Sequence, residues 1–500
     1  MSKTVNFSAF GKNDIRGIYG EEVNEELFYY VGKAYVRYVQ EKTNLKPKDI
    51  WITISRDARL HSESLTKVLT KGIVHMGANV INLDIVPTPI GYFSEFASFP
   101  ENISSNVKVS AALIVTASHN PPEYNGLKMT FNKASLNEEE IKKVKEYTIE
   151  AMSNDMTSVK HGESRLYNIV PSYIEIVSRK FPNVGQGIKV VVDSANGTAG
   201  VVAPALYREL GCEVIELYSE PDGNFPNHHP NPSDLSTLDA IKKKVIEEKA
   251  DLGIAFDGDS DRLGIIDSEG NALTGDKLLY IYAQDVIKEL SVRGEKPVIV
   301  SEVKCSQVLY DEINNQGGVA IMAKTGHGYI KSKMKETNAI LAGEMSGHMF
   351  FKDRYYGFDD AVYAGCRVIE IIAKNKKINS KFKLNDLLVP FKKVCTLDEV
   401  RHKCPNDLKK DVLLDITEKV EADINIFGTA IVDIVKLDGL RIIFPDGFAL
   451  IRQSNTEPVF TLRFEAKTKK SATHYKNTMI SLLDESIRKV SKRGEEWKQH

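Results

Sequence analysis

The length, composition and charge of the chain exclude several classes of protein. At 500 residues it is too long for one hydrophobic core, and we expect three or four domains. The net charge of -2 argues against binding of nucleic acid, and no apolar run reaches the roughly 20 residues that span a membrane. The amino end lacks the apolar core of a signal peptide, and the five cysteines form no Cys-x-x-Cys pair. We therefore expect a cytoplasmic protein that has no disulfide or zinc site and does not associate with membranes.

Strand and helix patterns alternate along most of the chain, which predicts three α/β units before a strand-rich α+β region that begins near residue 390. Ser233 is expected to cap a helix that begins at Asp234, and residues 445–447 (PDG) are expected to form a hairpin turn. The predicted strands are residues 49–55, 79–86, 188–193, 213–217, 251–256 and 297–303, and the predicted helices are residues 62–76, 138–152, 276–290 and 471–492.

An apolar run that begins at Ala111 leads directly into the polar segment 116–122 (TASHNPP), where two prolines end the strand. Ser118 and His119 are therefore expected at the carboxyl end of a buried strand, where α/β proteins collect their reactive groups. Ser118 is a candidate nucleophile.

An acidic loop places carboxylates at alternate positions, at Asp257, Asp259 and Asp261. Their repulsion favours a bound cation, and oxygen ligands suit Mg²⁺ or Ca²⁺. An EF-hand is excluded because Arg262 stands where glycine is needed and Ser268 where glutamate is needed. A solvated acidic turn remains the alternative interpretation.

Residues 452–456 (RQSNT) offer a guanidinium, two hydroxyls and an amide, which are the groups that hold a phosphate. A polar hairpin turn would have the same composition. Residues 343–348 (GEMSGH) offer Glu344, Ser346 and His348 between glycines, which suits a polyhydroxy ligand or a simple tight turn.

Three further residues have two interpretations each. His327 is either a ligand contact or a structural histidine, and Arg16 is either functional or part of a surface ion pair. Lys128 is either catalytic or a solvated loop lysine.

Together these segments resemble the α-D-phosphohexomutase family, and within it the bacterial phosphomannomutase/phosphoglucomutase members. Residues 116–122 resemble the family's phosphoserine loop, 257–262 its metal loop, 343–348 its sugar-specificity loop and 452–458 its phosphate-binding loop. Met345 matches the phosphomannomutase/phosphoglucomutase pattern, whereas phosphoglucosamine mutases more often have glutamine there.

The resemblance implies four domains around a central active-site cleft: three related mixed α/β units and a smaller C-terminal α+β domain that closes over the substrate. The expected domains are residues 1–165 with the phosphoserine loop, 166–270 with the metal-binding loop, 271–387 with the sugar-binding loop and 388–500 with the phosphate-binding loop.

The resemblance also implies an intramolecular phosphotransferase, an isomerase that interconverts hexose 1-phosphate and hexose 6-phosphate of mannose or glucose. Ser118 would be phosphorylated, and a hexose 1,6-bisphosphate would serve as intermediate and activator. One Mg²⁺ per active site would be held by the phosphate on Ser118 and by Asp257, Asp259 and Asp261. Phosphosugars are the expected partners, nucleic acid is not, and the expected state is a monomer, with a dimer as the alternative.

The resemblance assigns roles to individual residues. Lys128 and His348 would transfer protons, Arg16 would support the phosphoryl group and His119 would position it. The implied substrate-binding residues are Arg262, Lys304, His327, Glu344, Ser346, Arg452, Ser454, Asn455 and Thr456. The alternatives are a phosphoglucosamine mutase, a metal-dependent phosphatase that uses Ser118, and a sugar-phosphate-binding protein without activity.

Overall fold

The computed structural model describes residues 6–101, 103, 108–154, 157–158, 160–454 and 457–497, with side chains up to residue 491. Two compact units are distinguished within it. The first unit contains residues 1–274 and 346–384, and the second unit contains residues 275–345 and 385–500. None of the described helices is long and apolar enough to cross a membrane.

The first unit begins with a sheet that has seven strands in the described part of the chain. Its strands are β1 (Ile15–Ile18), β2 (Trp51–Arg56), β3 (Asn79–Ile85), β4 (Ala111–Val115), β5 (Tyr124–Phe131), β6 (Ala134–Ser135) and β7 (Ser164–Leu166). The order is β1-β5-β4-β2-β3-β7, with β6 beside β5. Strand β2 is parallel to β3 and β4, while β5 is antiparallel to both β4 and β1. Every residue of β4 is buried, as its apolar sequence predicts.

Four helices are described around this first sheet. They are α1 (Glu25–Thr43), α2 (Ser62–His75), α3 (Thr88–Phe93) and α4 (Glu138–Ser153). Asn137 caps α4 through a capping box. Its side chain accepts from the Glu140 N–H at 3.0 Å, and the Glu140 side chain accepts from the Asn137 N–H. Helices α1 and α2 pack closely because Gly72 has no side chain; a Cβ there would lie 2.1 Å from the Tyr29 carbonyl oxygen.

A second sheet follows in the same unit. Its elements are α5 (Val170–Ser178), β8 (Lys189–Asp193), α6 (Ala203–Glu209), β9 (Glu213–Leu217), α7 (Asp239–Glu248), β10 (Leu252–Phe256), β11 (Leu263–Asp267) and β12 (Ala272–Leu273). The strand order is β12-β11-β10-β8-β9, with β8 parallel to β9 and β10 and β11 antiparallel to β10.

The predicted cap at Ser233 is wrong. Asp234 caps a short 3-10 helix, Leu235–Leu238, by accepting from the Ser236 N–H at 3.0 Å. The Ser233 hydroxyl donates instead to the Ser346 carbonyl at 2.9 Å. Both residue types cap helices well, so the pattern alone did not distinguish them.

The third α/β region contributes elements to both units. The second unit contains α8 (Gly275–Ser291), β13 (Val298–Glu302), α9 (Gln307–Asn315), β14 (Val319–Ala323), α10 (His327–Thr337) and β15 (Leu341–Gly343). Its strands are parallel in the order β14, β13, β15. The first unit contains β16 (Met349–Phe351) and α11 (Ala361–Ile378).

The second unit ends in an antiparallel sheet with two helices. These elements are β17 (Cys395–Thr396), β18 (Val400–Lys403), α12 (Lys409–Ala422), β19 (Asp433–Val435), β20 (Leu440–Phe444), β21 (Gly447–Gln453), β22 (Val459–Ala466) and α13 (Lys469–Trp497). The order is β17-β22-β21-β20-β19, with β18 beside β22. The predicted hairpin turn joins β20 to β21. The element order therefore matches the predicted α/β and then α+β succession, while the four domain boundaries stay predictions.

Short 3-10 helices complete the described structure. Besides Leu235–Leu238 they are Phe7–Ala9, Pro47–Asp49, Thr198–Val201, Leu384–Leu388 and Pro390–Lys393. All five cysteines carry free thiols.

Asp415 on α12 joins this helix to α13. It accepts from the Ser486 hydroxyl at 2.7 Å and pairs with Lys489 and Lys419. Burial opposes its ionisation, but hydrogen bonds from Lys489, Ser486 and Lys419 lower the pKa of Asp415 to about 2. Since this pKa lies below the unfolded value, the carboxylate stabilises the fold at neutral pH, and this stabilisation is lost as the pH falls from about 4 to about 2.

Asp415→Asn should therefore lower the free energy of unfolding by about 2 kcal/mol at pH 7, with a smaller difference below about pH 4. Urea unfolding of the full chain at pH 7 and pH 3 measures this. Glu418→Gln changes an exposed carboxylate of the same helix and should have no effect. A difference that did not shrink in acid would contradict the role of this charge.

Candidate active site

Ser118 lies directly beyond β4, as predicted, and is 2% exposed. Its backbone is left-handed, with φ of 53°, and its N–H donates to the Thr116 hydroxyl at 2.9 Å. The Ser118 hydroxyl lies 3.0 Å from Asp257 Oδ2 and 3.1 Å from His119 Nδ1. The strand end thus brings the serine to the acidic loop.

The acidic loop connects β10 to β11, and its three aspartates are buried. The alternative of a solvated acidic turn is therefore wrong. Carboxylate oxygens of Asp257, Asp259 and Asp261 lie within 4.8 Å of one another. Burial and repulsion from Asp261 and Asp259 raise the pKa of Asp257 well above its ordinary value.

The donor set fits a hard divalent cation. Asp259 Oδ1 and Asp261 Oδ1 are buried and have no hydrogen-bond partner in the described part of the chain. The other oxygen of Asp259 accepts from the Thr88 hydroxyl at 2.6 Å, which orients the carboxylate. All-oxygen ligands of this kind suit Mg²⁺.

Lys128 reaches the same cluster from β5. It is 5% exposed, so it is not a solvated loop lysine, and its Nζ lies 2.9 Å from Asp259 Oδ2 and also contacts Asp261. Burial favours the neutral amine, but Asp259 and Asp261 outweigh it and raise the pKa of Lys128 well above its ordinary value. Lys128 therefore supplies a fixed positive charge beside the candidate cation ligands.

Arg262 connects the two histidines of the site. Its Nε donates to His348 Nε2 at 3.1 Å, and its Nη1 lies 3.4 Å from His119 Nε2. Burial lowers the pKa of His348 to about 4, and the Arg262 charge with burial lowers the pKa of His119 well below its ordinary value. In a neutral ring whose Nε2 accepts, Nδ1 carries the proton.

The tautomers define what each histidine can do. His119 Nδ1 then donates to the Ser118 hydroxyl, which supports a positioning role and argues against general-base activation of the serine. His348 Nδ1 faces the Asp261 carbonyl at 3.2 Å and Asp359 Oδ2 at 3.4 Å.

Arg16 on β1 also contacts the serine loop. Its Nη1 donates to Asn120 Oδ1 at 2.8 Å and lies 3.5 Å from the Ala117 carbonyl, while Nη2 pairs with Asp14. Arg16 therefore does not only form a surface ion pair, because it also contacts the serine loop.

Sequence reasoning missed Arg59, which holds the serine loop in place. Its guanidinium donates to the carbonyls of Ser118 at 2.9 Å, Asn120 at 2.6 Å and Tyr124 at 3.1 Å, and also to that of Pro121. Arg59 is 1% exposed. The available signal was the charged segment RDAR, residues 56–59, which begins at the last residue of β2.

Two neighbours fix Arg59 itself. Asp57 Oδ2 accepts from Arg59 Nε at 3.1 Å, and the Phe225 ring lies 5.3 Å from the guanidinium carbon. Gly223 allows this contact, since a Cβ there would lie 2.5 Å from the Ala58 carbonyl oxygen.

The second unit holds most of the candidate sugar- and phosphate-binding residues, and several of them contact neighbouring residues through hydrogen bonds or ion pairs. Glu344 Oε1 accepts from the Gly326 N–H at 2.7 Å, next to His327 at the start of α10. Lys304 Nζ lies 3.6 Å from Glu302 Oε1, which also accepts from the Met345 N–H at 2.9 Å.

The predicted phosphate loop begins in the last two residues of β21, Arg452 and Gln453, and continues beyond the strand. Arg452 pairs with Asp438, and buried Lys409 donates to the carbonyls of Ser454 at 2.7 Å and Glu457 at 2.8 Å. Lys409, another residue that sequence reasoning missed, therefore holds both ends of the loop. Asn455 and Thr456 lie outside the described residues.

The predicted site residues are thus grouped by unit. Ser346 belongs to the first unit and Glu344 to the second. The first unit brings together Ser118, His119, Arg16, Lys128, Asp257, Asp259, Asp261, Arg262 and His348.

Comparison with known proteins identifies the family. Models of phosphoglucomutase/phosphomannomutase alpha/beta/alpha domains I, II and III match residues 8–155, 171–270 and 274–388, and the C-terminal domain model matches residues 399–482. The chain therefore belongs to the phosphoglucomutase/phosphomannomutase family, and the predicted four-domain fold class is confirmed.

Individual relatives match along nearly their whole length. The phosphomannomutase/phosphoglucomutase of Pseudomonas aeruginosa is 38% identical over 96% of both chains. The phosphoglucomutase of Neisseria gonorrhoeae is 34% identical over 95% of this chain and 96% of its own. The crystal structure of a phosphoglucomutase/phosphomannomutase family protein from Burkholderia thailandensis superimposes with a TM-score of 0.84 at 34% identity, covering 97% of this chain and 98% of that one.

Arg59→Lys should loosen the serine loop, because one ammonium group cannot reach the carbonyls that the planar guanidinium reaches. Each lost charge-assisted bond contributes roughly 1.5 to 3 kcal/mol, so the amides of residues 117–120 and 123–124 should exchange hydrogen at least about tenfold faster. Hydrogen exchange with mass spectrometry measures this. Arg56→Lys is the control, since the Arg56 guanidinium pairs with Asp84 at 2.8 Å, and Asp84 is not part of the serine loop. Unchanged exchange in Arg59→Lys would show that other contacts hold the loop.

Lys128→Met should increase the affinity for Mg²⁺, because it removes a positive charge that pairs with two of the three candidate ligand carboxylates. We expect about tenfold tighter binding by isothermal titration calorimetry. Lys133→Met removes the same charge at an exposed position beyond β5 and should leave the affinity unchanged. Weaker binding in Lys128→Met would mean that the ammonium helps to build the cation site.

Proposed function

We propose that the chain is a phosphohexomutase, an isomerase that interconverts the 1-phosphate and 6-phosphate of mannose or glucose. Family membership and the names of its relatives support this activity. The observation that carries it is the buried Ser118 hydroxyl, 3.0 Å from Asp257 in a cluster that fits a cation. Such a hydroxyl is suited to carry a phosphoryl group beside a metal ion.

The proposed reaction consists of two transfers. First, the bond between Ser118 Oγ and phosphorus breaks, and phosphorus bonds to the unphosphorylated hydroxyl of a hexose monophosphate, which loses its proton. The resulting hexose 1,6-bisphosphate reorients, and the bond between its other phosphorus and the sugar oxygen breaks as that phosphorus bonds to Ser118 Oγ. The sugar oxygen takes back a proton, which regenerates the phosphoserine and releases the isomeric monophosphate. A phosphoserine carries about -1.5 to -2 charge, so both transfers need positive groups around it.

Residues of the first unit supply this charge and handle the proton. Arg16 and Arg262 would stabilise the phosphoryl group, and His119 would position it. Lys128 would act through its fixed positive charge, which leaves His348 to transfer the hydroxyl proton. Their contacts with the serine loop and the aspartates support these roles.

Mg²⁺ would be held by the phosphate on Ser118 together with Asp257, Asp259 and Asp261. It would act as a Lewis acid on the phosphoryl oxygens. The two buried carboxylate oxygens without described hydrogen-bond partners support this assignment.

Residues of the second unit, with Ser346, would bind the sugar phosphate. Arg452, Ser454, Asn455 and Thr456 would hold the phosphate that does not react, and Glu344 and Ser346 would bind sugar hydroxyls. Lys304 and His327 would add contacts. These phosphate- and hydroxyl-binding groups would accept the sugar in either orientation. The bisphosphate could therefore turn over in the same site, without a second one.

The free cysteines support a cytoplasmic location, and we propose a monomer.

Ser118→Ala tests the central step. Intact-mass measurement should find one phosphoryl group on the unchanged protein and none on the variant, and mutase turnover should fall at least about a thousandfold. Ser110→Ala, a serine just before β4, is the control and should keep both. Full mutase activity in Ser118→Ala would contradict the mechanism.

Product analysis separates the alternatives. A mutase converts mannose 1-phosphate or glucose 1-phosphate into the isomeric sugar phosphate, whereas a phosphatase releases inorganic phosphate. A faster rate with glucosamine 6-phosphate would indicate a phosphoglucosamine mutase instead.

A further inference from the structure

Asp438 lies in the turn between β19 and β20 and is shared by two elements of the second unit. Its Oδ2 accepts from Arg452 Nε at 3.1 Å and from the Thr325 N–H at 3.1 Å. The first bond reaches the predicted phosphate loop, and the second reaches the segment that precedes α10. One carboxylate oxygen therefore connects two parts of the chain that are far apart in sequence.

The bond to Nε orients the guanidinium of Arg452. Within the described residues, the structure gives its two Nη groups no hydrogen-bond partner, although the side chain is only 9% exposed. A guanidinium held at Nε presents both Nη groups in a fixed plane, which suits two oxygens of a phosphate.

The local backbone keeps Asp438 against Arg452. Gly439 has φ of 86°, and a Cβ there would lie 2.2 Å from the Ile451 carbonyl oxygen and 2.7 Å from the Arg452 Cα. Only glycine lets the turn approach β21 so closely.

The same connection continues to the predicted sugar-binding carboxylate. Thr325 donates its N–H to Asp438, and the next residue, Gly326, donates its N–H to Glu344 Oε1 at 2.7 Å. The consecutive N–H groups of Thr325 and Gly326 thus connect one segment to both residues: to Arg452 through Asp438, and to Glu344 directly. Gly326 has φ of 126°, a conformation that side chains disfavour, so the segment depends on glycine.

We propose that Asp438 is a positioning residue of the substrate site, which aims Arg452 at the phosphate and connects it through Thr325 and Gly326 to Glu344. This inference rests on the proposed function. It adds that phosphate binding and sugar binding are coupled, since displacement of Arg452 also releases the segment that holds Glu344.

Asp438→Ala removes both bonds. The KM for glucose 1-phosphate should rise about tenfold while kcat stays within about threefold, because both charge-assisted hydrogen bonds, and with them the orientation of the arginine, are lost. Asp438→Asn keeps an acceptor oxygen without the charge and should give an intermediate KM. The matched control is Asp433→Ala, an exposed aspartate of the same hairpin, which should behave as the unchanged protein.

Coupling is tested by binding in the Ser118→Ala background, where no turnover occurs. The dissociation constant of glucose 1-phosphate is measured for Asp438→Ala, Glu344→Gln and the double variant. We expect the double variant to bind at least about threefold more tightly than the product of the single effects predicts, as for residues in one network. Inorganic phosphate, which has no sugar hydroxyls, should bind more weakly after Asp438→Ala alone.

Two results would overturn the inference. One is an Asp438→Ala protein whose KM matches that of Asp433→Ala, and the other is a strictly multiplicative double variant. A fall in kcat and thermal stability with unchanged KM would assign Asp438 a structural role only. Failure of the proposed function is distinguishable, since the unchanged protein would then lack mutase activity before any variant is made.

Discussion

The mutual repulsion of three buried carboxylates is the constraint around which the first unit is organised. Asp257, Asp259 and Asp261 lie within 4.8 Å of one another, where two like charges repel by roughly 4 kcal/mol even at an effective dielectric constant of about 20. Lys128 from the neighbouring sheet and Arg262 from the same loop offset part of this cost. A divalent cation would meet the remaining demand for positive charge, and it would then form one electrostatic assembly with the carboxylates and the lysine.

This assembly also requires its loops to adopt uncommon backbone conformations. Ser118 and Ser260 both have left-handed φ values, 53° and 60°, which cost of order 1 to 3 kcal/mol for residues other than glycine. Contacts to each loop offset this conformational cost. Arg59 holds the serine loop, and the Thr198 hydroxyl lies 2.9 Å from the Ser260 hydroxyl in the acidic loop. Contacts with surrounding residues, and not the local conformational preference of its own segment, therefore determine the position of Ser118.

Local patterns explain how far the sequence could predict this arrangement. The strand β4 and the acidic loop were predictable because an apolar run and alternating aspartates are visible within a few positions. The pairing of Lys128 with Asp261 was not, since 133 positions separate them and a lysine in a strand has no distinctive pattern. Arg59 was missed because its partners are backbone carbonyl groups, which every residue carries, so no sequence pattern marks them.

The arginines show why residue type alone could not separate structural from functional positions. Arg59 and Arg452 are both held at Nε by an aspartate Oδ2 at 3.1 Å. The Nη groups of Arg59 are occupied by carbonyls of the serine loop, and Arg441 likewise donates its Nη groups to backbone carbonyls and to Gln307. Arg452 is fixed in the same way at Nε, yet the described residues offer its Nη groups no acceptor. A rigid cation whose donors are not used by the fold is what an anionic ligand requires, and this distinction becomes visible only in three dimensions.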